Sequence, residues 1–420
     1  MITRIQALNF RCLQYVAQPV GAFHVLTGAN ASGKTTFLDI LAFIRDLVTP
    51  HNDLETAIQK RTRNFRELLW NHQGESFELA LEAAIPDKVI EELHRTDKRG
   101  NGFRHIRYEL VIQETEICFE ALSFIDEGRA DLVQLSIFPQ ENIRCPSTLV
   151  IPQRGKKLIL KKERGRNDNY YPETGKSYKP SLIGKPTYSA LASIPDEKHF
   201  PVALWFRSLL QNGIQNLMLD SVRMRQPSRP GQTTRFKSDG SNLPWVVETL
   251  KCEHQAQFGR WLKHVRLNLP DITDICVIER EEDRHKYLRI KYATGVEIPS
   301  WMVSDGTLRL LALTLLAYLG ENQRASFYLI EEPENGMHPL AIHNVFDSLQ
   351  SVYGAQVLIA THSLVALNLL EPASLLCFAR NASGATDVVS GDRHPALIDY
   401  RKGHSDALGV IFASGILGDR

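Results

Sequence analysis

The feature that most constrains this 420-residue sequence is a glycine-rich loop near its N-terminus. Residues 28–36 have the sequence Gly-Ala-Asn-Ala-Ser-Gly-Lys-Thr-Thr, which matches the pattern G-x-x-x-x-G-K-[ST]. A short apolar run over residues 23–27 precedes the loop, and residues 35–47 carry apolar side chains at helical spacing. In this strand–turn–helix context, the backbone N–H groups of the turn surround phosphate oxygens. The sequence therefore predicts a loop that binds a nucleoside triphosphate.

Within this loop, two side chains have specific expected tasks. Lys34 is expected to reach the terminal phosphates, and the Thr35 hydroxyl is expected to hold Mg²⁺. The alternative is a glycine turn that merely precedes a lysine. The predicted nucleotide-binding residues of the loop are Gly28, Asn30, Ser32, Gly33, Lys34, Thr35 and Thr36.

Composition limits the class of protein. Apolar residues make up 43% of the chain and charged residues 23%, as in globular proteins. No apolar run approaches the roughly 20 residues of a membrane helix, and the N-terminus lacks the apolar region of a secretory signal. The six cysteines include no C-x-x-C pair, which favours structural thiols in a reducing compartment. We expect a cytoplasmic protein with no membrane partner.

A second apolar segment, residues 326–330, ends in two acidic residues, Glu331 and Glu332. If it is a strand, it places both carboxylates at the carboxyl edge of a sheet, where ligands bind in α/β folds. Glu331 is then expected to hold Mg²⁺ and Glu332 to polarise an attacking water. A strand cap that happens to be acidic is the alternative, although paired acids repel each other unless a cation lies nearby.

Two further segments flank the acidic strand. Ser304 or Asp305 suits the N-cap of a helix predicted over residues 308–319, and the free N–H groups of its first turn form a second anion site. Considered alone, this segment is equally typical of a capped core helix. Residues 356–360 predict a buried strand followed by His362. Such a histidine is usually structural, but its place one helix and one strand beyond the acids favours a functional role.

The order of these motifs resembles that of ABC-type ATPase heads of the SMC/RecF class. Residues 329–339, Leu-Ile-Glu-Glu-Pro-Glu-Asn-Gly-Met-His-Pro, are similar to the branch that contains overcoming-lysogenization-defect and related anti-phage ATPases. Residues 8–11, Leu-Asn-Phe-Arg, are similar to the first strand of that branch. The resemblance covers residues 1–70 and 275–380. It implies an α/β P-loop NTPase fold with an ABC-type head, in which an antiparallel β extension and a mainly helical insertion accompany a mixed central sheet.

In heads of this class, two subunits dock head to tail and enclose two ATP molecules with Mg²⁺. The resemblance thus implies a homodimer or a higher even oligomer, with the loop of one chain facing the serine motif of another. It implies these site residues: catalytic Glu332 and His362, metal-binding Thr35 and Glu331, nucleotide-binding Arg11, Asn335 in a D-loop-like turn, and the signature Ser304, Asp305 and Gly306 acting on a second copy.

Two departures from the resembled pattern bear on function. The metal position is usually Asp, and the extra methylene of Glu331 could weaken Mg²⁺ binding or slow turnover. The signature also differs from the LSGGQ form of transporter ATPases, which argues against a transporter subunit.

The middle of the chain predicts an antiparallel sheet followed by helices. Strand-like runs occur at residues 77–81, 108–112, 117–122 and 158–160. Residues 200–219 and 245–269 predict helices, and no heptad run indicates a long coiled coil. The expected division is lobe I at residues 1–75, a β extension with a basic insertion at 76–195, a helical lobe at 196–274, and lobe II with a C-terminal tail at 275–420.

Basic residues are concentrated between positions 154 and 166, where Glu163 is the single acid. Such a run could contact nucleic-acid phosphates, or it could belong to an edge strand that lysines protect from pairing. A second basic stretch extends from Arg223 to Lys237. The candidate nucleic-acid contacts are Arg154, Lys156, Lys157, Lys161, Lys162, Arg164 and Arg166.

The resemblance implies a slow, dimer-dependent ATPase that acts as the ATPase or sensor subunit of an anti-phage defence system. The 58 residues after His362 are too few for the nuclease domain of overcoming-lysogenization-defect proteins, so we expect a separate effector such as a nuclease or toxin. Two alternatives stay open. Glu331 favours an ATP-bound scaffold with little turnover, and the basic run favours a RecF-like DNA repair ATPase.

Overall fold

The computed structural model of the chain describes residues 1–96, 102–126, 145–152, 156–174, 180–195, 197–395 and 397–398. These residues form two compact units. The first contains residues 1–214 and the described residues from 372 onward, and the second contains residues 215–371. The predicted divisions at residues 75, 195 and 274 are finer than this partition and stay predictions. Arg154 and the tail beyond residue 398 lie outside the described residues.

The first unit contains an antiparallel sheet with the strand order β2-β1-β4-β5-β6-β7-β8-β9. It also contains a second set of strands, in which β3 is parallel to β16 and β16 is antiparallel to β17. The predicted antiparallel extension is confirmed. The elements are β1 (Ile2–Phe10), β2 (Leu13–Pro19), β3 (Phe23–Gly28), α1 (Lys34–Val48), α2 (Leu54–Gln59), β4 (Ser76–Ala84), α3 (Asp87–Thr96), β5 (His105–Gln113), β6 (Glu116–Ile125), β7 (Lys156–Glu163), β8 (Asp168–Tyr170), β9 (Ser181–Leu182), α4 (Pro201–Ser208), and, after the second unit in the sequence, β16 (Leu375–Arg380) and β17 (Thr386–Ser390).

Helix α1 is fixed against the antiparallel sheet by aromatic packing. The rings of Phe10 and Phe77 have centroids 5.0 Å apart, and those of Phe43 and Phe77 are 5.5 Å apart. All three side chains are fully buried, so each removes a large apolar area from water. Because Phe10 belongs to β1, Phe77 to β4 and Phe43 to α1, the cluster sets the position of the helix that follows the glycine-rich loop.

The second unit combines a parallel strand pair, a small antiparallel sheet and several helices. β14 and β15 are parallel, with Glu331 paired to Ala360, and β11, β12 and β13 are antiparallel. The predicted strands at 326–330 and 356–360 are confirmed. The elements are β10 (Ile214–Leu217), α5 (Ser221–Arg225), α6 (Leu243–Glu253), α7 (Gln255–Asn268), β11 (Ile272–Glu279), β12 (Lys286–Tyr292), β13 (Glu297–Pro299), α8 (Asp305–Leu315), β14 (Phe327–Glu331), α9 (Pro339–Gln350), β15 (Gln356–Ala360) and α10 (Leu364–Asn368).

The two long predicted helices are interrupted. The helix predicted over residues 200–219 ends at Ser208 and continues as a π-helical turn to Gly213, after which the chain is extended as β10. Glycine and β-branched Ile214 both lower helix propensity at this point. The helix predicted over residues 245–269 divides at His254, whose φ of −134° is not helical. Within the described residues, no helix has the length and apolar character needed to cross a membrane.

The structure predicts a pH-dependent stabilisation at the start of α4. The Glu173 carboxylate accepts hydrogen bonds from the backbone N–H groups of Val202, at 2.7 Å, and Ala203, at 2.8 Å. Burial raises the pKa of Glu173 from its ordinary 4.5 to about 8. Because the folded-state pKa lies above the unfolded value, the folded chain binds this proton more tightly. The resulting stability is complete below pH 4.5 and is lost as the pH rises through 8.

We therefore expect Glu173→Gln, which keeps an acceptor and carries no charge, to flatten the pH dependence of the unfolding free energy between pH 4.5 and 8. Urea denaturation at several pH values measures this slope. Glu114→Gln, at an exposed turn, is the control and should keep the wild-type slope. Equal slopes for wild type and Glu173→Gln would contradict the assignment.

Candidate nucleotide-binding site

The glycine-rich loop connects β3 to α1 in the first unit, as predicted. Gly28, Ala31 and Gly33 have positive φ values of 149°, 60° and 108°. Gly33 is the N-cap of α1, so the helix begins at Lys34 directly after the left-handed residue. The first N–H groups of a helix have no acceptors within it, and the helix dipole makes this end attractive to anions.

Two glycines of the loop lie too close to β16 and β17 for any other residue. A Cβ atom on Gly28 would lie 2.1 Å from the carbonyl oxygen of Phe378, and one on Gly33 would lie 2.4 Å from Oγ1 of Thr386. The Thr386 hydroxyl donates a buried hydrogen bond of 2.8 Å to the carbonyl of Ser32. Arg380 Nε donates to the carbonyl of Ala31 at 2.9 Å. The loop is therefore held by side chains from the end of the chain.

The polar atoms of the loop suit a phosphate ligand. Lys34 is buried, and its Nζ donates to the carbonyl oxygens of Gly28 at 2.8 Å and Ala29 at 2.9 Å. Within the described residues, the buried Ser32 hydroxyl has no hydrogen-bond partner. A buried hydroxyl without a partner costs free energy, which an accepting phosphate oxygen would offset. Asn30 and Thr35 are exposed and Thr36 is buried.

Arg11 lies beside α1 rather than within the loop. Its φ is 53°, and its guanidinium forms an ion pair of 3.3 Å with Asp39 in the second turn of α1. Arg61 pairs with the same carboxylate at 2.7 Å and with Asp46 at 3.1 Å. The first strand is thus linked to the helix that carries Lys34 and Thr35, and the nucleotide contact of Arg11 stays a prediction.

In the second unit, the acid pair lies at the end of β14. Glu331 is the last residue of the strand and Glu332 follows in a left-handed conformation with φ of 47°. The Asn335 amide donates to the Glu332 carboxylate at 2.6 Å, and both acids are exposed. A left-handed non-glycine residue costs on the order of 1 kcal/mol and is found where function requires a particular orientation.

Glu334 joins the acidic turn to the histidine segment and was not singled out from the sequence. Its Oε1 accepts hydrogen bonds from the Thr361 hydroxyl and from the backbone N–H of His362, the latter at 3.3 Å. Its Oε2 is buried and has no hydrogen-bond partner among the described residues. The backbone of His362 is therefore fixed relative to the Glu332 turn, and the Glu334 carboxyl group lies next to the histidine.

The signature segment lies against the same turn. Ser304 caps α8, its Oγ accepting from the N–H of Thr307 at 3.2 Å, as predicted. Asp305 pairs with Arg225 at 2.7 Å. A Cβ atom on Gly306 would lie 2.4 Å from the carbonyl oxygen of Gly336, next to Asn335. The signature, the acids and the histidine thus form one connected group within this unit.

Two lysines of the first basic run lie in buried ion pairs. Lys156 pairs with Glu109 at 2.9 Å and Lys162 with Asp168 at 2.8 Å, and all four side chains are buried. A buried, paired ammonium cannot reach a nucleic-acid backbone, so the proposed contacts of these two lysines are wrong. The edge-strand alternative is also wrong, because β7 lies between β6 and β8. Three other basic residues of the run form ion pairs, Lys161 and Arg166 with Glu163 and Arg164 with Glu116. The Lys157 ammonium lies over the ring of Phe124.

Residues 23–143 and 196–368 match the family described as "AAA domain, putative AbiEii toxin, Type IV TA system". The chain belongs to this family. A comparison with curated proteins finds no significant match. Membership identifies an ATPase domain of the AAA type. The matched residues include the glycine-rich loop, the signature segment, the acid pair and His362.

Among solved structures, the chain is similar to an Smc head domain with an extended coiled coil bound to the C-terminal domain of ScpA derived from Pyrococcus furiosus. The sequences are 11% identical, 96% of this chain and 99% of that chain are covered, and the TM-score is 0.50. Two further structures match. An SmcHead bound to the C-winged helix domain of ScpA is 13% identical, with 92% of this chain and 97% of that chain covered and a TM-score of 0.49. The SMC head domain from Thermotoga maritima is 10% identical, with 93% of this chain and 98% of that chain covered and a TM-score of 0.43. The predicted α/β ATPase-head fold is confirmed.

The close contact at Gly28 generates a stability prediction. Gly28→Ala is expected to destabilise the first unit by more than the roughly 1–3 kcal/mol of an unfavourable backbone conformation, because its methyl group also meets the Phe378 carbonyl. Gly165→Ala, with φ of 71° and no atom within 4 Å of the new methyl group, is the control for a positive φ without a steric contact. Urea unfolding compares the two variants, and equal losses would contradict the steric role of Phe378.

Proposed function

We propose that this protein is an ATP-hydrolysing head that works as a head-to-tail dimer and serves as the ATPase or sensor subunit of an anti-phage defence system. The observation that carries the proposal is the exposed N-terminal end of α8, where Ser304 and Asp305 face solvent beside the Glu332–Asn335 turn. The description of the family, which names an AbiEii toxin and a toxin–antitoxin system, supports the defence context.

The residues of the proposed site have different roles in phosphoryl transfer. Lys34 and the loop amides would bind the phosphates, and Thr35 and Glu331 are the residues that would hold Mg²⁺, an ion that would supply positive charge to the phosphate oxygens. Glu332 orients the attacking water through a carboxylate that Asn335 holds at 2.6 Å. His362 acts as the γ-phosphate sensor.

The proposed dimer follows from the chemistry of the signature. Ser304, Asp305 and Gly306 would present the N-terminus of α8 to the triphosphate on a second copy, adding donors where negative charge develops. Neither half-site stabilises that charge alone, so turnover depends on association. Exposed apolar side chains near these motifs, Leu340 and Leu364, are suited to burial in such an interface.

Mutation of Glu332 tests the catalytic assignment. Glu332→Gln is expected to bind ATP, accumulate as a dimer and lose at least a hundredfold in steady-state turnover, because an amide is a poor base. Lys34→Ala is expected to bind no ATP and to stay monomeric. Glu321→Gln, an exposed acid outside the site, is the matched control and should behave as wild type. Light scattering and phosphate release measure these outcomes.

A Glu332→Gln variant that hydrolyses ATP at the wild-type rate would contradict this role. The scaffold alternative, favoured by Glu331 at the metal position, predicts wild-type turnover far below the 1–100 s⁻¹ that is typical of kinases, unstimulated by DNA. The RecF-like alternative loses two of its candidate contacts, because the Lys156 and Lys162 side chains are buried in ion pairs.

Phage challenge tests the proposed defence role. A host that expresses this protein together with the neighbouring genes of its native locus is expected to show lower plaque counts than an empty-vector host. Protection should be lost with Lys34→Ala, and with the wild-type protein expressed without its neighbours. Undiminished plaque counts combined with sensitivity of a deletion strain to DNA damage would favour repair instead.

A further inference from the structure

A cavity of about 420 Å³ lies in the second unit and is not used by the proposed ATPase mechanism. Its lining includes three cationic side chains, Arg223, Arg229 and Lys237, and one carboxylate, Asp239. Serine and glutamine side chains, Ser228 and Gln232 among them, supply most of the remaining polar atoms. The cavity is therefore polar and carries more positive than negative charge.

Two of the three cations are not neutralised. Arg223 pairs with Asp239 at 2.9 Å and with Asp220 at 3.4 Å. In the part of the chain that the structure describes, neither Arg229 nor Lys237 forms an ion pair, and the Lys237 ammonium donates to the uncharged side chain of Gln232. Cations that line a concave site raise the local potential that attracts an anionic ligand.

The walls of the cavity are fixed by hydrogen bonds from buried groups. The Asn242 side chain, which is fully buried, donates to the carbonyls of Thr233 and Arg235 at 2.7 Å each and accepts from the N–H of Lys237 at 2.9 Å. Ser228, another lining residue, exchanges backbone hydrogen bonds of 2.7 and 2.9 Å with Lys286. A preformed site loses little conformational entropy when a ligand binds.

We propose that this cavity binds a small ligand that carries one or two phosphate groups. Its volume falls within the roughly 300–1,000 Å³ of small-molecule sites, and the guanidinium of Arg229 and the ammonium of Lys237 are the donors that phosphate oxygens accept best. A nucleic-acid backbone would require a continuous cationic groove. The neighbouring Arg225 does not extend one, because it is occupied with Asp305 and the Val303 carbonyl.

The ligand would also act on the signature segment, an effect that rests on the proposed function. Arg223 in the cavity and Arg225 lie on the same short helix, α5. Arg225 donates to the Val303 carbonyl at 3.0 and 2.9 Å and pairs with Asp305 at 2.7 Å. A ligand that orders α5 would thereby stabilise the residues that begin α8.

Pyrophosphate binding to Lys34→Ala protein tests the site without relying on ATP hydrolysis, because this variant lacks the main cation of the glycine-rich loop. Isothermal titration calorimetry is expected to detect saturable binding that weakens at least tenfold when Arg229→Gln and Lys237→Gln are added. Arg260→Gln with Lys263→Gln removes the same charge from the exposed face of α7 and should leave the affinity unchanged. Thermal melting checks that all variants are folded.

Absence of saturable binding, or an equal loss in the α7 control, would overturn the proposal. A single-stranded DNA oligonucleotide without terminal phosphates is the comparison ligand. If it binds through Arg229 and Lys237 while pyrophosphate does not, the surface is a nucleic-acid contact and the proposal is wrong. Slower hydrogen exchange in residues 221–241 on adding pyrophosphate would support it. Because these readouts use Lys34→Ala protein, they are independent of whether the chain hydrolyses ATP.

Discussion

The glycine-rich loop depends on a contact between its backbone and two strands from the end of the first unit. The carbonyl of Phe378 and the hydroxyl of Thr386 occupy the space that a Cβ atom would need at Gly28 and Gly33. Backbone approach this close is available only to glycine, so the loop takes the positive φ values that lead into α1. The Lys34 ammonium in turn donates to the carbonyls of Gly28 and Ala29 in the same loop.

A comparable constraint orders the second unit. Glu334 accepts hydrogen bonds from Thr361 and from the backbone of His362, and Gly306 lies against the carbonyl of Gly336. The segment between residues 332 and 336 thus contacts both the histidine segment and the start of α8. The start of α8, the acidic turn and the histidine segment are therefore in direct contact within one unit.

The sequence predicted the elements whose signals are local. A pattern within a few residues indicates each of three features: the loop between β3 and α1, the acids at the end of β14, and the Ser304 cap. Contacts between distant segments were not predictable. Arg380 reaches Ala31 across 349 positions, and no pattern near either residue indicates the pairing. The prediction of a single helix over residues 200–219 was wrong. The spacing of apolar residues does not indicate the change to extended backbone after Gly213.

The two basic stretches show why charge density alone does not identify a binding surface. In β7, Lys156 pairs with Glu109 of β5 at 2.9 Å and Lys162 pairs with Asp168 of β8 at 2.8 Å, so the cost of removing each charge from water is offset inside the fold. In the second stretch, Arg223 has such partners, whereas Arg229 and Lys237 have none among the described residues. These two cations instead line a concave site where solvent or a ligand must satisfy them. What distinguishes a structural lysine from a binding one is therefore the placement of acids in space.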